Sequence, residues 1–211
     1  MTSEITYWNN DAATYDKRAK KSRKAYQTII EQIKNEISAD MDVLDMGTGT
    51  GQIPISIHGN VKSIDAIDFS SEMILMAQAK ADKNRIDNVR FLVKDGNHLN
   101  YKDDSFDVVL IINLLHVVPD PENIINEAKR MVKEDGKVII ASFLNDENLR
   151  SRFISYIMAR KGHPVVTKFN TDSICEFIAN RNLKIISKKR IKNIMPAIYL
   201  TTSKYRKGAT K

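Results

Sequence analysis

The chain has 211 residues, 42% of them hydrophobic and 28% charged, a balance that suits one globular domain with a sizeable core and excludes a fibrous or disordered protein. A single cysteine, Cys175, excludes an internal disulfide and a cysteine-rich zinc site. A net charge of +7 keeps nucleic acid among the partners to weigh, and no apolar run approaches the length of a membrane span.

The first forty residues read as a helical cap, with Tyr26, Ile29, Ile30, Ile33 and Ile37 on one face at helical spacing. They include "KRAKKSRK", Lys17 to Lys24, with six basic residues in eight. That run reads first as a solvated helix face, as do the basic stretches "SKKRIK" and "SKYRKGATK" near the end. The N-terminus lacks the apolar core of a signal peptide, so the cytoplasm is the expected compartment.

From residue 41 to 143 the apolar runs "DVLDM", "VKSIDAIDF", "VRFLVKD", "FDVVLIIN" and "KVIIASF" alternate with helix-like stretches. Runs apolar on both faces belong to a parallel sheet covered on each side by helices. Ser70 or Ser71 caps the helix carrying Met73, Ile74, Met76 and Ala77. Asp120-Pro121-Glu122 opens another helix, and Gly136 is placed where that helix stops. Residues 144–211 supply helices near Glu147–Arg160 and Thr171–Asn180, then two strands, "LKIISKKRI" and "AIYLTTSKY", that pair antiparallel. The expectation is a single domain. Its fold class is a doubly wound α/β fold, a seven-stranded, mostly parallel Rossmann-like sheet with an antiparallel C-terminal pair.

In such sheets the ligand sits beyond the carboxyl end of the first strand. Here that strand runs into "MGTGTGQ", whose glycines at 47, 49 and 51 miss the dinucleotide spacing G-x-G-x-x-G. No Gly-Lys-Ser/Thr follows, so a Walker loop is also absent. The second strand ends at Asp68, 21 residues after Gly47, where a carboxylate can accept from both ribose hydroxyls. Asp95-Gly96-Asn97 after the third strand can read an adenine amine. Loop, ribose acid and adenine reader, in that order, specify an adenosine without a diphosphate.

"VLDMGTGTG", "AIDFSSEMI", "FLVKDGNHL" and "SFDVVLIINLLHVVPDP" together resemble the class I S-adenosylmethionine-dependent methyltransferases. The resemblance runs from about Tyr7 to Phe143 and is strongest to the ubiquinone and menaquinone biosynthesis branch, whose cap "YWNNDAATYD" is similar to. It implies S-adenosylmethionine as cofactor, S-adenosylhomocysteine as product and a small-molecule methyl acceptor. It places Asp45 near the methionine amino group and the backbone of Gly47, Thr48, Gly49 and Gly51 against methionine and ribose. Asp68 binds the ribose, Phe69 and Met73 flank the adenosine, and Asp95, Gly96 and Asn97 meet the adenine. Asn113 and Leu114 line the methionine side, while Tyr15, with Trp8, closes the cap.

His116 is the candidate general base. The related pattern reads Asn-x-Leu-His-His-Val-Pro-Asp-Pro, and Val117 stands at the second histidine, which argues against a paired-histidine mechanism. A structural role at a strand end is the alternative for His116. His98 sits in the adenine loop, His58 after the first helix and His163 in a loop of the substrate side. None of the four has metal-ligand spacing, so no metal is expected. Leu114-Leu115 after Asn113 argues against amine and amide methylation of the Asn/Asp-Pro-Pro-aromatic type. A tRNA or rRNA methyltransferase, a non-catalytic cofactor-binding protein, and a monomer or homodimer all stay open.

Overall fold

The computed structural model describes residues 3–205; residues 206–211, part of the basic C-terminal run, lie outside them. Two helices, α1 (Ser3–Ala19) and α2 (Arg23–Lys34), precede the sheet and are joined by a single 3₁₀ turn. The strands are β1 (Asp42–Met46), β2 (Ser63–Asp68), β3 (Val89–Val93), β4 (Phe106–Ile112), β5 (Val132–Phe143), β6 (Leu183–Ile191) and β7 (Ala197–Lys204). They form one seven-stranded sheet in the order β3-β2-β1-β4-β5-β7-β6. All pairings are parallel except those of β7, which runs antiparallel to both β5 and β6.

The period-2 pleat of the buried strands divides the core into two layers. On β1 and β4, Leu44, Met46, Val109 and Ile111 face one layer, while Val43, Val108, Leu110 and Ile112 face the other. Helices α5 (Pro121–Met131) and α7 (Thr171–Ala179) cover the first layer through Ile124, Ile125, Ile174 and Ile178. Helices α2, α3 (Gln52–Ile57) and α4 (Ser71–Lys83) cover the second through Ile29, Ile33, Ile53, Ile57, Ile74 and Ala77. The strand order reverses at β1 and β4, so a crevice opens beyond their carboxyl ends.

The caps follow the local chemistry. The Ser70 hydroxyl accepts the Met73 N–H at 3.2 Å to start α4, and Asp120 accepts the Asn123 N–H at 2.9 Å ahead of Pro121. Gly136 does not end α5. That helix stops at Met131, where Val132 turns directly into β5, and Gly136 lies inside the strand. A Cβ there would stand 2.7 Å from both the Asp107 carbonyl oxygen and Val132 Cγ2, so the glycine serves a close approach. Cys175 is half-buried against the core.

Candidate active site

Gly47, Gly49 and Gly51 hold φ of 73°, 55° and 77°, the left-handed region that side chains resist. This explains three glycines in five residues: the chain reverses tightly from β1 into α3. The Gly47 and Thr48 N–H groups both donate to the Ile67 carbonyl at 2.9 Å, which pins the loop to β2. Gly51 has a second reason. A Cβ there would lie 2.9 Å from both Ala77 Cβ and Phe91 Cε1, so the loop packs directly on α4 and β3.

Asp68 ends β2 beside this loop and is buried. Its two oxygens accept the Gly49 N–H at 2.8 Å and the Ser70 N–H at 2.9 Å. Asp45, one strand over, accepts the Thr48 hydroxyl at 2.6 Å. Burial pushes the Asp45 carboxyl up to about 7, against the Thr48 bond and with Asp68 adding to the rise. Burial likewise lifts Asp68 to about 6, against its backbone N–H donors. None of the ion pairs among the described residues reaches either carboxylate.

A cavity of about 350 Å³ opens here. Its walls bring together Tyr15, Gly47, Gly49, Asp68, Phe69, Met73, Asp95, Gly96, Asn97, Asn113 and Leu114, residues from the cap, the glycine loop, the end of β2 with α4, the loop after β3 and the end of β4. A small recess beside it, about 20 Å³, is lined by Asp45, Thr48, Tyr15 and Tyr26. Gly51 lines neither, being taken up by packing. Asn97 folds back on Asp95, donating its backbone and side-chain N–H groups to Oδ1 at 2.9 Å, and Asn123 ties the loop to α5.

Asn113 follows β4 with φ of 56°. Its amide donates to the Tyr26 hydroxyl at 3.2 Å, and Tyr26 lies 3.3 Å from the Tyr15 hydroxyl. Its other atom, Oδ1, is buried without a partner, and a buried acceptor calls for a donor. Two carboxylates without a cation and an unpaired amide oxygen together fit the ammonium and ribose hydroxyls of an amino-acid nucleoside. This set of acceptors therefore fits S-adenosylmethionine.

His116 lines neither space. It is buried behind the wall, its Nδ1 3.4 Å from the Ser142 hydroxyl and its ring edge-on to Phe143. Burial, with His163 adding, pushes its pKa down to about 3, so the ring is neutral. Its carbonyl takes the N–H groups of Val166 and Thr167 at 3.0 and 3.3 Å. Val117, Val118 and Pro119 after it do line the cavity.

The sequence reading missed Glu4, Ile5 and Lys94 in the walls, and the latch that holds α1 over the glycine loop. Asp16 accepts from the Thr50 hydroxyl at 2.5 Å and the Gln52 amide at 3.1 Å, and pairs with Lys80 at 2.6 Å. Burial works against its charge, but Lys80, Thr50 and Gln52 hold the carboxyl below its ordinary range. The Lys80 ammonium also donates to the Thr50 carbonyl at 2.8 Å. These contacts join residues 30 or more apart and leave no local sequence signal. His163 sits under the cap, bonded to the Tyr7 hydroxyl at 3.0 Å and edge-on to Trp8. All six cations of Lys17 to Lys24 are exposed, as a solvated face should be.

The profile of a family described as "Methyltransferase domain" matches residues 37–194. A phosphatidylethanolamine N-methyltransferase of Cereibacter sphaeroides is 33% identical over 101 residues, 47% of this chain and 49% of that protein. A demethylmenaquinone methyltransferase of Lactobacillus johnsonii is 28% identical over 168 residues, covering 77% of this chain and 68% of the relative. The chain thus spans from about half to two thirds of the length of these relatives. The YcgJ protein of Bacillus subtilis superposes with a TM-score of 0.71 at 17% identity, covering 85% of this chain and 99% of the other, which shows the fold alone. The chain belongs to the methyltransferase-domain family and is similar to the ubiquinone and menaquinone methyltransferases.

Proposed function

We propose that this protein transfers the methyl group of S-adenosylmethionine to an apolar small molecule. Asp68 carries the reading. It is a buried carboxylate at the end of β2, it opens onto the cavity, and it has no cation of its own to justify the cost of burial. In this assignment Asp68 accepts from the ribose hydroxyls and Gly47, Thr48 and Gly49 lie against ribose and methionine. Asp45 and the Asn113 Oδ1 receive the methionine ammonium. Phe69 and Met73 flank the adenosine, Asp95, Gly96 and Asn97 read the adenine, and Tyr15 with Leu114 encloses the methionine side.

The bound cofactor would supply a methyl group already activated on a sulfonium. The chain's part is then to align an acceptor atom with it and exclude water, and proximity of this kind is worth roughly 7–11 kcal/mol. Ile5, Trp8, Val117, Val118 and Pro119 give the acceptor side an apolar wall. His116 acts here as a positioning residue through its carbonyl, which holds the 166–167 segment. The relatives named for quinone and phospholipid methylation accord with an apolar acceptor.

The test is transfer of labelled methyl groups from S-adenosylmethionine in an extract of the source cells. Label is expected in organic-extractable small molecules, and not with Asp68→Ala. Label confined to ribonuclease-sensitive material, or no turnover in any fraction, would contradict the proposal.

A further inference from the structure

Helix α6 (Leu149–Arg160) inverts the usual pattern of a surface helix. Such helices bury an apolar stripe and show a polar face. The residues that α6 buries are Ser151 and Ser155, while Leu149, Phe153, Tyr156 and Ile157 are 83%, 63%, 55% and 37% exposed. At helical spacing these four fall on one stripe about 100° wide. Arg150 and Arg152 lie on its two flanks and Arg160 and Lys161 at its C-terminal end, all of them exposed. Arg152 is paired with Asp146, 3.2 Å away before the helix. Between Glu147 and Asp172 the sequence has no acidic residue, so the segment's own charges are all positive.

An exposed apolar stripe, arginines on both flanks (Arg152 paired with Asp146, and Arg160 bonded to the Tyr156 hydroxyl at 2.9 Å) and no acid within the helix itself suit a helix that lies in a lipid headgroup layer. There the stripe enters the acyl boundary and the guanidinium groups reach back to phosphates. We infer that α6 docks the protein onto an anionic lipid surface. The occupant follows from charge complementarity, since cations beside a negatively charged leaflet add attraction that salt screens. The docked face adjoins the cap. Just past α6, His163 bonds the Tyr7 hydroxyl at 3.0 Å and meets the ring of Trp8, which walls the cavity. Docking does not depend on which acceptor is methylated.

The experiment is flotation of the full chain with vesicles of phosphatidylglycerol and phosphatidylcholine, or of phosphatidylcholine alone, at low and high salt. Leu149→Asp with Phe153→Asp is the variant; these side chains are 83% and 63% exposed, and an unchanged melting temperature is the control that the fold is kept. The wild type is expected to float with the anionic vesicles only, less so in high salt, and the variant to lose at least tenfold in partitioning. Equal partitioning of variant and wild type would overturn the proposal. So would equal binding to neutral vesicles, or no binding at all. A dimer of the wild type that the variant dissolves, with no vesicle binding, would also overturn it by assigning the face to a second copy.

Discussion

Asp45, next to last in β1, and Asp68, last in the adjacent parallel β2, are both raised by desolvation, to about 7 and about 6. A ligand that brings an ammonium and hydroxyl donors binds their ionised forms, so its affinity should rise as the pH climbs through those values. Between about pH 5.5 and about pH 7.5 the gain for S-adenosylhomocysteine is expected to reach roughly tenfold, and Asp45→Asn should remove the upper part of it. Calorimetric titrations across that range check this; a flat profile in the wild type would contradict the assignment. Affinity is the cleaner readout than melting. In the free protein the raised carboxyls work against the fold as the pH climbs from about 4 to about 7. His116, lowered to about 3, favours the fold as the pH climbs toward about 6.5. The two trends oppose each other.

The cap shows how one helix is held over a site by polar contacts. Helix α1 places Tyr15 against the glycine loop, 3.8 Å from where a Gly49 Cβ would stand, and Asp16 ties it to Thr50, Gln52 and Lys80. A second tie joins the Ser70 hydroxyl to the Asn9 side chain at 2.6 Å. Asp16→Ala removes the first tie and keeps the second, so the cap should open more often without leaving. Dissociation of S-adenosylhomocysteine is expected to accelerate roughly tenfold, with association little changed. Stopped-flow measurements decide it, and an unaltered dissociation rate would mean that Asp16 does not hold the cap. Helix α2 was legible in the spacing of Tyr26, Ile29 and Ile33, because periodicity is local. The latch was not, because Asp16 reads as one more charge in a charged run until the fold brings Thr50 to it.

At the scale of the whole molecule, the sequence carried the sheet well and the side chains unevenly. Buried parallel strands announce themselves as continuous apolar runs, and the terminal pair by its closeness along the chain, so strand number and the antiparallel ending could be read. Gly136 misled because a glycine after an apolar run marks a helix end or a tight strand contact equally well. Here the contact with Asp107 decided. The glycine loop and Asp68 were legible together because the fold fixes their separation. His116 was harder, since a sequence places a residue after a strand without saying which way its ring turns. It turned toward Ser142 and Phe143, into the core.

The central claim is that Asp68 and the loop starting at Gly47 grip an adenosine nucleoside. Isothermal titration of S-adenosylhomocysteine into the wild type and Asp68→Ala tests it most directly. One site per chain is expected in the wild type, with affinity lower by roughly 10²-fold or more in the variant, the worth of two charge-assisted hydrogen bonds. Undiminished affinity in Asp68→Ala, or a wild type that does not bind the nucleoside, would contradict the account.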